Sequence, residues 1–382
     1  MRGVALALLA VAALGCGGPT PKPAAIDLMR AIAARESLRD RKPYLYLATV
    51  AAGNLQTLDG FLIGNRSLFP LVTLKPDGLH EGELEPLGVD GQHLLLAGIQ
   101  GEPRGTIQTL DLDGGRARKA IGPAISEDPW TIRLWGPPHA FLAERKDAAG
   151  NVDIALRFGG TDTRAIHFPA AEAPARYFGW AGDEVLYTVG TAETSTLYRL
   201  NPAMGGRIAA ATFPDALLGV LVVRDPNGQG GVSRGYALTT RQVLPERISL
   251  WSWEQGREPT LMREFTGRGA MGLLPAGWPI TIPSDRWVVA IPVGNSEAEQ
   301  PAGIYLFENG GLKVVHAGEV ELAWLAEEQH LFWIERGKLY YRVLDEPEGT
   351  ETEIAQRPLN TEWRIYPGPL VPHGVGGAPG QL

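Results

Sequence analysis

From residue 44 onward the apolar positions fall in short runs bounded by polar or Gly/Pro turns, the spacing of β-strands rather than of long amphipathic helices. Two stretches superpose position for position: Leu87-Gly88-Val89-Asp90-Gly91-Gln92-His93-Leu94-Leu95-Leu96 and Trp324-Leu325-Ala326-Glu327-Glu328-Gln329-His330-Leu331-Phe332-Trp333. Looser copies begin at Trp135 (leading to Phe141-Leu142), at Trp180 (then Gly182-Asp183 and Leu186-Tyr187) and at Ile282 (then Pro283-Ser284-Asp285 and Val288-Val289). Each predicts a strand, a tight turn and a second strand. Behind several copies comes a third apolar run ending in paired glycines, Gly114-Gly115, Gly159-Gly160, Gly205-Gly206 and Gly310-Gly311, which supply the positive φ angles of tight hairpins. Degenerate copies at 44–50 and 236–240 complete the series.

Strand centres near Tyr46, Leu94, Phe141, Leu186, Ala237, Val288 and Leu331 recur about every 47 residues, the length of a four-stranded propeller blade. The expected fold is therefore all-β, a seven-bladed β-propeller of four-stranded blades over 43–367, with six or eight blades as the alternatives. The first copy lacks an innermost strand before Tyr44, while the apolar alternation of Glu362-Trp363-Arg364-Ile365-Tyr366 remains unassigned after the last. Pairing the two removes an exposed sheet edge, so this C-terminal strand is expected to complete the first blade. Residues 26–42 carry Leu28, Ile32 and Leu38 near helical spacing before Pro43 and predict one N-terminal helix. The Gly/Pro-rich 368–382 reads as a flexible tail.

The repeat resembles the TolB-type, WD-repeat-like propeller repeat, whose core runs approximately Trp-Ser-Pro-Asp-Gly-Lys-x-Leu-Ala-Phe followed by an Ile-Tyr strand and a Gly-Gly turn. That resemblance implies a closed propeller acting by binding other proteins. It extends to the repeats alone, because a single predicted helix precedes Tyr44 where TolB carries a separate α/β domain.

The chain opens with Arg2, an apolar run over 4–14, and Ala13-Leu14-Gly15-Cys16. About eleven apolar residues are too few to cross a bilayer, which needs about twenty, so 1–15 reads as a signal peptide. The last four residues resemble a lipoprotein lipobox, with Ala13 where Leu is usual. The resemblance implies diacylglyceryl attachment to Cys16, cleavage before it, and acylation of the new amine. Cys16 is thus the predicted lipid-attachment site, and several acyl chains would hold the protein on a membrane. Residues 17–25, with Pro19, Pro21 and Pro23, would form an extended tether. In lipoproteins of that kind an Asp after the cysteine favours the inner membrane, so with Gly17 the resemblance implies the outer membrane, facing the periplasm or the cell surface. Cys16 is the only cysteine, so no disulfide is available to the fold.

The formal net charge of -8 argues against nucleic acid as a partner, since phosphate neutralisation needs clustered Lys and Arg. Acids concentrate between Glu297 and Glu353, where Lys313, Arg336, Lys338 and Arg342 are the only cations; this is a solubility device or a docking surface for a basic partner. Three motifs imitate chemistry. Gly231-Val232-Ser233-Arg234-Gly235 spells a serine-hydrolase elbow, but a strand-like 236–240 follows where a helix is required. Gly267-Arg268-Gly269-Ala270-Met271-Gly272 spells a dinucleotide fingerprint, but the Pro-rich 273–279 cannot make the helix that receives the pyrophosphate. Asp111-Leu112-Asp113-Gly114 opens like a calcium loop whose later ligands are missing. His93, His139 and His330 occupy similar repeat positions, yet second strands of separate blades diverge, so no shared metal is expected. The repeat-linked Trp135, Trp180, Trp287, Trp324 and Trp333 are expected to fill the spaces between blades.

No catalytic set, cofactor or metal site emerges. The reading is a membrane-anchored lipoprotein propeller that binds a protein or another envelope component, with oligomeric state and ligand-binding residues undefined. The alternative is a propeller enzyme, a carbohydrate lyase or hydrolase, with its active site at the channel mouth. An electron-transfer or quinone-binding propeller would need a repeated tryptophan-docking motif that this chain lacks.

Overall fold

The computed structural model describes residues 43–368 except 53, 74–83, 91–92, 99–105, 112–117, 125–130, 137–139, 159–160, 163–164, 192, 203, 224–232, 242–246, 267–272, 276–277, 279, 293, 295–299 and 348. Cys16, the tether 17–25, the helix expected over 26–42 and the tail from 369 lie outside the described residues.

The described residues form seven sheets, almost wholly antiparallel. Sheet I holds β1 (Leu45–Ala51), β2 (Asn54–Leu62) and β3 (Ser67–Thr73). Sheet II is β4 (Leu84–Asp90), β5 (His93–Gly98), β6 (Thr106–Asp111) and β7 (Arg118–Ala124). Sheet III is β8 (Thr131–Gly136), β9 (Ala140–Lys146) and β10 (Val152–Phe158), edged by two short pieces, β11 (Thr161–Asp162) and β12 (Ile166–Phe168). Sheet IV is β13 (Arg176–Ala181), β14 (Glu184–Gly190), β15 (Ser195–Asn201) and β16 (Gly206–Phe213). Sheet V is β17 (Ala216–Val223), β18 (Arg234–Arg241), β19 (Arg247–Glu254) and β20 (Thr260–Thr266), joined by β21 (Thr281–Ile282). Sheet VI is β22 (Trp287–Ile291), β23 (Gly303–Glu308) and β24 (Gly311–Ala317). Sheet VII is β25 (Val320–Ala326), β26 (His330–Glu335), β27 (Lys338–Val343) and β28 (Thr352–Gln356). The last strand, β29 (Glu362–Pro367), pairs antiparallel with β1 from Leu45↔Pro367 to Val50↔Glu362 and so becomes the inner strand of sheet I.

Period-2 alternation explains why these strands are apolar on both faces: each sheet is sandwiched between its predecessor and its successor. On β22, Trp287, Val289 and Ile291 pack back on Tyr236 and Leu250 of sheet V, while Val288 and Ala290 pack forward on Leu331 and Trp333 of sheet VII. On β26, Leu331 and Trp333 face sheet VI, whereas Phe332 and Ile334 join Tyr44, Leu47 and Phe61 of sheet I. Val185 and Tyr187 of β14 face sheet III, and Leu186 between them faces sheet V. Inner strands touch in succession, β4 against β1 and β29, then β8 against β4, β13 against β8 and β17 against β13; β25 lies along β22, and β28 meets β3. The last sheet therefore returns to the first, and the series closes as a ring. Trp287, Trp324 and Trp333 are all fully buried between sheets.

The outer ladders share a device that periodicity did not show. The register between the two outermost strands shifts at Leu197/Tyr198, at Leu250/Trp251, at Ile304/Tyr305 and at Leu339/Tyr340, a bulge in the outer ladder of each of sheets IV to VII. A bulge twists the edge strand and spoils it as a template for another chain.

The copy expected to start at Ile282 is built differently. β21 makes no hairpin with β22; it pairs in parallel with β17, Val222↔Thr281 and Val223↔Ile282, and the Val222 amide donates to the Ile280 carbonyl at 2.9 Å. Sheet VI consequently has three strands among the described residues. The cause is local: Pro275 and Pro283 bracket the segment and have no N–H to donate to a longer ladder. Apart from this short pairing, the described residues of the segment pack against several sheets. Leu273 packs with sheets V and VI, Ile280 with IV and V, and Trp278 with VII and I, its ring 5.8 Å from Trp324; Leu274 contacts all three clusters. Two glycines on inner strands admit it. A Cβ on Gly219 would stand 3.1 Å from the Leu273 nitrogen, and one on Gly179 would stand 3.0 Å from Ile280 Cγ2.

Candidate binding cleft

The motifs singled out in the sequence do not converge. Gly231 and Val232 lie outside the described residues; the Ser233 carbonyl accepts the Gln255 N–H at 2.7 Å, and β18 follows directly, so the serine stands before a strand. Residues 267–272 and 112–117, and His139, lie outside the described residues. His93 opens β5, and His330 shares a 2.9 Å hydrogen bond between Nδ1 and the Tyr341 hydroxyl. Burial beside Tyr44 lowers the His330 pKa, favouring the neutral ring. Among the described residues no three metal-ligating side chains come together.

Part of the acidic stretch near the C-terminus is paired with cations that the sequence window did not contain. Arg286 bonds Glu308 at 2.9 Å and Asp345 at 3.1 Å, Arg66 of sheet I reaches Glu346, and Arg357 reaches Glu321 at 3.3 Å. Lys313, Lys338 and Arg342 serve Glu308, Glu353 and Glu351. The bonds from Lys313 and Lys338 hold in turn the Glu308 carboxyl below and the Lys338 ammonium above their ordinary pKa values.

A cleft of about 250 Å³ opens at the end of sheet V where β17 finishes and β18 starts. Its floor is Gly235, Tyr236 and Trp253; its walls are Arg234, Ser252, Thr260, the hairpin residues Glu254, Arg257 and Glu258, and Asp285 from the turn before β22. The packing of sheets V and VI positions the floor. The Tyr236 ring is wedged 4.8 Å from Trp287 and 5.1 Å from Phe307, and its hydroxyl donates to Asp285 Oδ1 at 2.7 Å. Burial first, and the adjoining Asp285 carboxylate second, raise the Tyr236 pKa far above that of a free phenol, so it stays a hydrogen-bond donor. Sheet IV fixes the hairpin wall. Arg199 on β15 grips Glu184 with two bonds of 2.8 and 2.9 Å and donates a third to the Gln255 side chain.

The rim is more loosely held. Arg257 pairs with Glu254 at 2.7 Å, but Arg234, with 54% of its side chain exposed, approaches Asp285 Oδ2 only at 3.8 Å. Glu258 is exposed and has no partner among the described residues. The described lining thus combines the Arg234 guanidinium near Asp285 with the exposed Glu258 carboxylate in one polar cleft. Sequence reasoning missed the site because Tyr236 and Asp285 are 49 residues apart and only the stacking of two sheets joins them.

A ring of antiparallel sheets closed by pairing of the chain ends defines the β-propeller class. No family model matches the sequence, and no curated protein matches it. Among solved structures, the chain is similar to the β-propeller domain of the Trilobed protease from Pyrococcus furiosus, at 14% identity over 72% of this chain and 84% of that one, with a TM-score of 0.44. It is similar to a Mycobacterium tuberculosis puromycin-hydrolyzing peptidase, at 13% identity over 85% of this chain and 56% of that one, TM-score 0.49. It is similar also to TolB from Acinetobacter baumannii, at 13% identity over 73% and 69%, TM-score 0.36. Likeness at this level transfers no activity, ligand or partner.

Proposed function

We propose that the chain is an exported lipoprotein, acylated at Cys16 and held on the outer membrane, whose seven sheets are the blades of a propeller serving as a binding or scaffold module for a protein or another envelope component. The observation that carries the reading is the segment Leu273 to Ile282. A channel-mouth enzyme needs titratable groups converging on a hydrated axis, whereas here Leu273, Trp278 and Ile280, all at most 5% exposed, lie across the inner strands. Some ionisable groups on the described inner strands are already engaged. Arg133 of β8 holds Glu144 at 2.9 Å, a carboxylate that also accepts from Tyr177 at 2.8 Å, and Glu321 of β25 accepts the Gly337 N–H at 2.8 Å. What remains for chemistry with other molecules is the surface at the ends of the sheets, which suits docking.

The test has two arms. Cells fed a clickable fatty acid should label the chain, and Cys16→Ser should abolish the label; a mature chain found free of fatty acid in the medium contradicts the anchor. Photoreactive side chains placed in turns at both ends of the sheets should each be scored for crosslinks in intact envelopes. A discrete partner captured from one end supports the module, while turnover of a polysaccharide or peptide substrate by the purified chain contradicts it.

A further inference from the structure

The turn joining β25 to β26 brings together side chains from sheets VII and I. Glu327 and Glu328 hold left-handed φ angles of 49° and 62°, a backbone that costs a non-glycine residue energy and that Asn-Gly would adopt more readily. This turn sets Glu327 beside His330. Its Oε2 stands 3.9 Å from Nε2, too far for a hydrogen bond and slightly wider than the separation of about 3.3 Å between two ligands of one tetrahedral ion. The other ring nitrogen, Nδ1, lies 2.9 Å from the hydroxyl of the fully buried Tyr341. Donation from Nδ1–H to that oxygen leaves the Nε2 lone pair facing the carboxylate, the tautomer of a metal-binding imidazole. Sheet I contributes Tyr44, 1% exposed, whose ring lies 5.5 Å from His330 and whose hydroxyl has no hydrogen-bond partner among the described residues. Burial first, and the Glu327 carboxylate second, raise the Tyr44 pKa and keep it a donor. Burial also pushes the Glu327 carboxyl up, a shift that a neighbouring cation would reverse.

We propose that Glu327 and His330 chelate a first-row divalent cation of the Zn²⁺ type, with the Tyr44 hydroxyl donating to water held on the ion. An imidazole nitrogen with a carboxylate oxygen suits such ions, whereas Mg²⁺ and Ca²⁺ prefer oxygen alone. Tyr341 is a positioning residue that orients the imidazole from its far side. With two protein ligands the remaining positions belong to water, which suits an exchangeable ion. The ion ties the turn of sheet VII to the residue that leads into β1, at the seam where the ring closes. The site stands apart from the binding-module reading and does not depend on it.

The test is calorimetric titration of Zn²⁺ into the full mature chain in detergent, stripped of metal beforehand by a chelator. The ion should bind saturably and raise the thermal midpoint, because a ligand of the folded state alone stabilises it. Glu327→Gln and His330→Gln should each weaken binding about tenfold or more and remove the thermal shift, and Tyr341→Phe should weaken it about tenfold through the orientation of the ring. His167→Gln, on an exposed side chain of sheet III, should bind as the parent does. The Glu327 side chain is 44% exposed, so its variant should fold even if His330→Gln does not, with circular dichroism as the check. Absence of saturable binding by the parent, an affinity unchanged in Glu327→Gln, or equal weakening by His167→Gln overturns the proposal. The fatty-acid and crosslinking results are unaffected by any of these outcomes.

Discussion

Trp278→Ala probes the segment that lies across the inner strands. The indole is 5% exposed and lies 5.8 Å from the fully buried Trp324, within a cluster that includes Tyr44 and Phe332. Truncating a buried Trp costs about 3–5 kcal/mol, combining lost transfer energy with the cavity left behind. The whole body should be stable by about 5–15 kcal/mol, so the variant should lose about a fifth of that or more. With a urea slope of about 2–3 kcal/mol per molar, the midpoint should fall by about 1–2 M. Circular dichroism is the appropriate readout, because removing a tryptophan alters the fluorescence baseline. The double variant with Trp324→Ala should cost less than the sum of the singles by about 1 kcal/mol, the coupling expected of an aromatic pair. A midpoint within about 0.3 M of the parent would mean that residues 273–282 lie outside the core, and the argument against an axial active site would lose its basis.

Three further outcomes follow from the structure. Burial raises the Asp59 pKa from 3.8 to about 6 against a weaker opposing bond from Thr57, and no cation among the described residues compensates it. A folded pKa above the unfolded one means stability is greatest below pH about 4 and falls as pH rises to about 6, so Asp59→Asn should gain roughly 3 kcal/mol at pH 7.5 and nothing at pH 3.5, measured by urea melts at both. Arg199→Ala should destabilise by about 3 kcal/mol by leaving Glu184 without its bidentate partner; a loss under about 0.5 kcal/mol in the same assay contradicts its role in joining sheets IV and V. Gly219→Val should lower the thermal midpoint by several degrees, because the Leu273 backbone leaves no room for a side chain, whereas exposed Gly256 replaced by Asn should be nearly neutral.

The repeating hairpins were legible because two-sided burial writes itself into the chain as unbroken apolar runs such as Leu331-Phe332-Trp333-Ile334, framed by turn residues. Asn309-Gly310, at φ 52° and 79°, is the kind of turn that paired glycine signals predict. The sixth copy misled because Ile282 and Val288-Val289 carry the right spacing, while the prolines that divert β21 act through missing hydrogen bonds and not through hydrophobicity. Some pairing within the acidic stretch was illegible for a different reason: Arg66 and Arg286 are remote in sequence from Glu346 and Asp345, and only the meeting of sheet VII with its neighbours on either side brings them together. No motif joins Tyr236, Asp285 and Arg234: Arg234 falls in the Gly231 to Gly235 stretch and Asp285 in a repeat turn 49 residues beyond Tyr236. Their relation is set by how two blades stack, which no local period encodes.

Ring closure is the claim on which the rest stands, and the chain ending at Arg357 tests it most directly. Its loss of β29 strips six residue pairs from β1, whose residues Leu45 to Val50 are all buried, and removes Ile365 from the cluster shared by sheets I and VII. Calorimetry of the truncated and full chains side by side should show the sharp unfolding transition of the full chain lost or broadened and shifted far down in temperature. A truncated chain that melts at the same temperature with the same enthalpy would contradict the closed ring.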